Sequence, residues 1–429
     1  MQFDGNPNSS DVHISASSNT GAGWSTLTML QGPRANAADP MLSSNNYVAG
    51  LNPQTVYCVS NSFNPGVGTA YGDSGLLVWM NNGSGWSLQA QPESHTGTAY
   101  FDNNNNYIDD RWLIDKPSIA VSQHANTNGT VYAAYMRVPV NGNGSAESIG
   151  FAMFDDVTPP ASEWKIRTDV PTPVGSKNLQ SPVVVINQTS SNSLSDVYVI
   201  YLDDATNRIY VYRTSDKGAS WVSEGYFDLL NTSVRLATVP NARICVDRTT
   251  GDCVGAESIV SARFNWHNPS DTSYGSIGII LSAWDGVDPS TAKMRSYFFR
   301  WLPVTGFDRG PIALTDASLD SWNPAIDYNS TGNYVVSWYR RVDNSTLNFR
   351  TEFAYMLNDG TFDHTISCGT CSTSDVTRYT AVTSGGSAYA YFIGEYQDLW
   401  YTSYLGYAAA ATVDISGTYG DIATYGVVP

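Results

Sequence analysis

Positive charge is what this sequence has least of. Lys and Arg total 22 against 39 Asp and Glu, a net charge of −17, and most of the cations are arginines. That balance repels polyphosphates and anionic lipid surfaces, which excludes nucleic acid as a partner and disfavours a membrane surface. Long apolar runs are also missing. None approaches the roughly 18 residues of a spanning helix, so no membrane insertion is expected. Helical periodicity is almost absent, and long helices are not expected anywhere; "LGYAAAATV" near the end is the one ambiguous stretch. No signal-peptide pattern stands at the N-terminus. The polar "QFDGNPNSSD" region after Met1 reads as a chain whose leader has been removed.

Cysteine is scarce, with five in 429 residues. Cys245 and Cys253 flank "VDRTTGD", which reads as a hairpin turn across which the two side chains can meet. Cys368 and Cys371 form "CGTC". A redox or zinc reading of that motif needs a helix context or a second cysteine pair, and the sequence shows neither. Cys58 is the one thiol left over. Local disulfides are the expected state, which places the protein in an oxidising compartment, secreted or at the cell surface.

What is abundant is strand and turn material. Hydrophobic residues make up 42% of the chain, in short runs of Val, Ile, Tyr and Trp set between Gly, Asn, Asp, Ser and Pro. This is the signature of an all-β protein. One pattern recurs: a proline, a short apolar strand, a turn, then a tyrosine-rich strand. It appears as "DKPSIAVSQHANTNGTVYAAYMRV", as "QSPVVVINQTSSNSLSDVYVIYLDD" and as "SWNPAIDYNSTGNYVVSWYRR", with weaker copies from Asp39, Pro240 and Arg378. A third strand follows each copy, and often a tryptophan-bearing turn. Four strands repeated about six times is the layout of a six-bladed β-propeller with four-stranded antiparallel blades. The expected blades run approximately 39–92, 115–170, 180–226, 238–312, 321–368 and 376–407, the last completed by residues 10–30 so that the two ends close one ring. The long interval from Pro240 to Pro324 leaves room for a seventh blade.

The stretch "TSDKGASW", Thr214 to Trp221, has the chemistry of a self-contained hairpin lock. Asp and Ser/Thr side chains bond nearby backbone N–H groups, Gly218 takes a left-handed conformation, and Trp221 packs over the turn. The motif resembles an Asp-box, the S/T-x-D-x-G-x-x-W repeat of the sialidase-like (BNR-repeat) β-propellers. "SSNTGAGW" keeps Ser17, Asn19, Gly21 and Trp24 at the same offsets, and "NNGSGW" at 81–86 is a more eroded copy. The resemblance implies that Asp216 is structural and peripheral, and that ligand binds at the opposite, central mouth. It also implies carbohydrate as the partner, with glycosidases, polysaccharide lyases and lectins all sharing the fold. Arg34 in "GPRANA" does not match the family's Arg-Ile-Pro motif, and the sialidase arginine triad is not placed residue by residue.

The mouth is built by loops leading into each first strand and loops joining second to third strands. These supply Asp115, Asp203, Glu395 and Tyr339 as candidate catalytic groups. They also supply Arg111, Arg137, Arg340, Arg341 and Trp322, and His267 in "NWHNPS", as substrate-binding candidates. Carboxylates can move protons, arginines can clamp anions, and flat rings suit sugars. Each residue taken singly also fits a plain solvated loop. "DNNNNYIDD" places Asp102, Asn104, Asn106 and Asp110 like the early oxygen ligands of a calcium loop, but Leu113 stands where the bidentate glutamate belongs. A structural calcium site and an ordinary Asn-rich turn are the two readings. No cofactor is required, and a monomer acting on a glycan or polysaccharide is the expectation. A glycoside hydrolase or lyase is the first functional reading, and a non-catalytic glycan-binding or adhesion propeller is the second.

Overall fold

The computed structural model describes residues 12–427 apart from 15–27, 31, 35, 45–54, 65–72, 102–106, 123–129, 141–144, 155–163, 189–195, 234, 239–241, 248–251, 266–274, 287–291, 330, 367–380, 385–386, 392–397, 403–406 and 415–420. Among these residues the regular structure is β, with a single 3-10 turn at Leu229–Asn231. The chain divides into two compact units, residues 1–201 with 211–224, and residues 202–210 with 225–429.

In the first unit, Asn36–Ser44, Val56–Phe63, Ser74–Asn81 and Trp86–Ser94 form a first antiparallel sheet in chain order. Trp112–Val121, Val131–Pro139, Ser148–Phe154 and Trp164–Ile166 form a second. Leu179–Ile186, Val197–Asp203, Arg208–Thr214 and Val222–Asp228 make a third, whose residues are divided between the two units. In the second unit, Ser261–Phe264, Ile277–Trp284, Met294–Leu302 and Gly306–Ala313 form a fourth sheet. Ser321–Tyr328, Tyr334–Arg341, Phe349–Met356 and Phe362–Ile366 form a fifth. The hairpin Arg243–Asp247 and Asp252–Gly255 joins Ser387–Tyr391 and Ala381–Ser384 in a sixth four-stranded sheet, through one parallel bridge from Val254 to Tyr391. Asp398–Thr402, Tyr407–Asp414 and Asp421–Val427 add a three-stranded sheet.

The all-β class and the four-stranded antiparallel sheet are as the repeat pattern leads one to expect. The span 238–312 departs from a simple blade, because it holds a separate hairpin as well as most of the fourth sheet. The reason is local. Cys245 lies directly opposite Cys253 in the hairpin, and the two are joined by a disulfide. That hairpin is completed by strands from beyond residue 380. Cys58 is a free, buried thiol, and Cys368 and Cys371 lie outside the described residues.

A four-stranded sheet is too thin to seal both its faces, so neighbours must cover them. In the first unit, Tyr57, Val59, Leu76 and Val78 of the first sheet pack with Ile114, Val131, Ala133 and Tyr135 of the second. In the second unit, Ile280 and Phe298 of the fourth sheet pack with Ile326, Tyr334, Val336 and Trp338 of the fifth. Middle strands are therefore buried along most of their length, as in "VYVIYLD", all of it buried.

The recurring proline has a specific structural role. Asp39, Lys116, Ser181 and Asn323 each precede a proline in the first strand of a sheet, and each has a left-handed φ between 44° and 48°. The pairing register shifts at this point in the first, second and fifth sheets. Proline has no N–H to give to the ladder, and a β-bulge takes up the residue that cannot pair. A non-glycine residue with positive φ costs about 1–3 kcal/mol, so four occurrences at one repeat position mark a shared constraint rather than an accident.

The hairpin Thr214–Trp221 closes on itself as its residue types suggest. Thr214 Oγ1 accepts the Gly218 N–H at 2.8 Å, and Asp216 Oδ1 accepts the Ser220 N–H at 2.9 Å. Asp216 Oδ2 takes the Ser220 hydroxyl at 2.6 Å. Partial burial alone would raise the Asp216 carboxyl, but these donors hold it at about 2. Trp221 donates its indole N–H to the Thr168 carbonyl at 2.9 Å and meets the Phe151 ring edge-on at 4.9 Å. The turn therefore fastens the third sheet to the second. In "NNGSGW" a weaker lock forms, with Asn81 Oδ1 accepting the Gly83 N–H at 2.8 Å. "SSNTGAGW" lies outside the described residues.

Gly218 has φ +81°, and a Cβ there would sit 2.6 Å from the Phe151 ring. Gly218→Ala should therefore destabilise the protein by about 2–4 kcal/mol. A urea-unfolding series measures this; an unchanged midpoint would show that the turn does not carry the sheet contact assigned to it.

Candidate functional site

In each meander the first strand starts, the second stops and the fourth stops at one common end, here termed the upper end. The hairpin lock between third and fourth strands lies at the other. Glu93 and His95 come from the upper end of the first sheet's last strand and the turn beyond it. Asp110, Arg111 and Trp112 lead into the second sheet, Arg137 lies near the upper end of its second strand, and Asp169 follows its fourth. All of these belong to the first unit.

The side chains form one chain of charge-assisted bonds. Arg137 donates from Nε and Nη2 to the two oxygens of Glu93, the second bond at 2.6 Å. Its Nη1 reaches both oxygens of Asp169 at 2.6 Å. Tyr135 donates its hydroxyl to Glu93. The Tyr135 ring can lie this way because Gly150 is its cross-strand partner, and a Cβ at Gly150 would stand 2.3 Å from the ring. His95 Nε2 meets Glu93 at 2.7 Å and His95 Nδ1 meets Asp110 at 2.7 Å. Both acceptors are carboxylates, so both ring nitrogens must carry protons, and the ring is an imidazolium. Trp112 lies beside it, with ring centres 6.3 Å apart.

The electrostatics follow from this geometry. Burial would raise the Glu93 carboxyl, but the hydrogen bond from His95, the hydrogen bonds and charge of Arg137 and the Tyr135 hydroxyl hold it at about 2. Burial would lower His95, yet Glu93 and Asp110 together raise it above its ordinary value of 6.5. Asp110 is likewise pulled down: desolvation opposes its ionisation, but His95 and Thr96 outweigh it. Its second oxygen accepts the Thr96 N–H at 2.7 Å and hydroxyl at 2.8 Å. Asp110 thus closes the base of the ribbon Ala99–Phe101 with Tyr107–Asp109. A carboxylate with both oxygens already engaged is poorly available to calcium. Asp102, Asn104 and Asn106 lie outside the described residues, as do His267 and Glu395.

The other sequence candidates are spread over separate roles. Asp115 sits at the inner-strand bulge and accepts the Lys116 N–H at 3.0 Å. Asp203 is fully buried and is spent on its own turn, accepting from Ala205 N–H at 3.0 Å and Thr206 hydroxyl at 3.1 Å. Arg111 stands at the start of the second sheet, its carbonyl accepting from the Val140 N–H. In the second unit, Arg340 binds Asp316 at 2.6 Å and Glu352 at 3.3 Å, and Arg341 binds Asp320 at 3.0 Å. Trp322 and Tyr339 are not at a ligand-facing surface. They are 0% and 1% exposed and pack on each other and on Phe349. Both faces of the fifth sheet are buried here, Trp338 on the opposite face being 1% exposed, which loop-level reasoning does not foresee.

Glu93, His95, Asp169 and Trp112 were not among the sequence candidates. The available signal was the Glu-x-His spacing of "PESHTG" at the head of a blade-joining insertion, beside "DDRW". Arg34 is a second missed member. It donates to Asp73 at 2.7 Å, to Ser94 at 2.8 Å and to the His95 carbonyl at 3.2 Å, and so positions the His95 turn.

The titrations set a stability profile. Glu93 contributes about 3 kcal/mol that is complete above about pH 4.5 and lost as pH falls toward 2. His95 contributes stability that is complete below about pH 6.5 and lost as pH rises through its raised folded value. Stability should therefore peak between about pH 5 and 6.5. Denaturation midpoints across pH measure this, and His95→Gln should flatten the alkaline limb. Glu93→Gln, which leaves Arg137 with Asp169 as its one carboxylate and removes the Glu93 partner of His95, should cost about 2–4 kcal/mol at pH 6.

No family model matches the sequence, and no curated protein matches it. Among solved structures, the chain is similar to the Penicillium chrysogenum α-L-arabinanase complexed with arabinobiose, at 12% identity over 90% of this chain and 92% of that one, with a TM-score of 0.46. It is similar to the Aleuria aurantia fungal lectin, described as a six-bladed β-propeller with fucose recognition, at 12% identity over 91% and 96%, TM-score 0.43. It is also similar to the Hadza microbial sialidase Hz136, at 11% identity over 91% and 65%, TM-score 0.44.

Proposed function

We propose that the protein is a secreted carbohydrate-active β-propeller of the sialidase-like type, its six blades closed into one ring, acting on glycans at the upper ends of its sheets. The observation that carries this reading is the polarity of the first unit's sheets. The Thr214–Trp221 lock, of Asp-box pattern, occupies one end. Glu93, His95, Asp110, Arg137 and Asp169 gather with Trp112 at the other. A glycan site needs carboxylates to orient hydroxyl groups and an aromatic face for the sugar ring. As an enzyme, the protein would be a glycoside hydrolase or polysaccharide lyase. In that role the ionised Glu93 and the His95 imidazolium hold the cluster in place, and Asp169, its most exposed carboxylate, is the group that meets substrate hydroxyls.

One observation favours a second reading, glycan binding without turnover. Glycoside hydrolysis uses a carboxylic acid whose pKa is raised. Among the described carboxyl groups with a resolved shift, Glu93, Asp110, Asp216, Asp316, Asp343 and Asp359 all move down.

A panel of oligosaccharides and polysaccharides, scored for both binding and cleavage by the full chain, separates the readings. Binding with release of product marks the enzyme, and binding alone the lectin. Asp169→Asn should weaken the interaction at least five-fold while circular dichroism stays unchanged. Failure to bind any glycan would remove both readings.

A further inference from the structure

Two ion pairs at the candidate site have the arginine inward and a carboxylate outward, while Glu93 is as buried as the Arg137 it binds. Arg34 is 8% exposed and its partner Asp73 is 33% exposed. Arg137 is 13% exposed and Asp169 is 46%. The inward guanidinium groups are also saturated. Arg137 uses all three of its nitrogens on Glu93 and Asp169. Arg34 uses its own on Asp73, Ser62, Ser94 and the His95 carbonyl. The His95 imidazolium has both N–H groups committed to carboxylates.

The exposed members of this cluster are carboxylates, so it offers a ligand acceptors, while its guanidinium and imidazolium donors are already spent. A carboxylate oxygen welcomes a hydroxyl hydrogen and repels a second anion. To clamp a sugar carboxylate an arginine must present a free planar edge, and here those edges are already taken by Glu93, Asp169 and Asp73. Building on the proposed glycan function, we infer that the site takes uncharged saccharides and discriminates against those bearing carboxylate or sulfate. Sialosides and uronates are thereby excluded, and with them an eliminating lyase, whose substrate must carry a uronate. The chain's net charge of −17 acts in the same direction at longer range. Lys177, Arg235 and Arg350 are exposed cations outside this cluster.

The test compares neutral oligosaccharides with sialylated or uronate-bearing counterparts of equal length, by calorimetry on the full chain at low salt. Neutral ligands should bind at least ten-fold more tightly, and the ratio should shrink as salt screens the repulsion. Asp169→Asn and Asp73→Asn keep the side-chain shape and remove the outward charge, so each should narrow the ratio. Lys177→Ala should leave neutral binding unchanged. Anionic glycans that bind equally or more tightly would overturn the inference while leaving the glycan function standing. No binding to either set would overturn the function itself, and the inference with it.

Discussion

A strand buried on both faces must satisfy its backbone within its own sheet, because neither water nor a neighbouring sheet can reach it. The rest of this structure follows from that requirement. The middle strands are apolar on both sides, so their polar groups close only along the ladder. Wherever the ladder breaks, the break must be managed. At Asp39, Lys116, Ser181 and Asn323 it is managed identically, by a left-handed residue followed by a proline with no N–H to orphan. Between third and fourth strands the ladder ends in a turn, and at Thr214–Trp221 side chains of Thr and Asp take up the N–H groups that no strand can.

The same logic governs charge. The chain has few cations and folds most of its upper-end arginines into the gaps where sheets and loops meet. Each then needs a carboxylate, and the surplus of acids supplies one, usually from the solvent side. Glu93, like Asp320 and Glu352 in the second unit, is an acid that is itself sealed in. It is tolerated because Arg137, His95 and Tyr135 all donate to it. Charge pairs of this sort set geometry more than they add net stability, since desolvation cancels much of the attraction. Their value here lies in fixing His95 and Asp169 relative to Trp112.

The fold was largely legible in the sequence because its signals are local. Proline before a short apolar run, tyrosine-rich second strands and the Thr-x-Asp-x-Gly pattern each report on a few neighbouring residues. The Cys245–Cys253 bridge was legible for the same reason. The site was legible only in part. Arg137 could be placed at the correct end by counting strands, whereas Asp110 reads only as a calcium-loop ligand. The Arg137 partners Glu93 and Asp169 come from other strands, and nothing in the linear order announces that pairing. Trp322 and Tyr339 show the opposite error: their position along the strand was right, but both faces of the fifth sheet are covered at that level, which no local pattern reports.

The hairpin of Arg243–Asp247 and Asp252–Gly255 gains its outer neighbour only through the bridge from Val254 to Tyr391. During synthesis, then, one side of that hairpin stays open until Tyr391, more than a hundred residues later, has left the ribosome. An exposed edge is an invitation to the wrong partner. The sulfur link between Cys245 and Cys253 spans only eight positions and can form long before the late strands arrive. It keeps the nascent ribbon in register while the other half of its sheet does not yet exist.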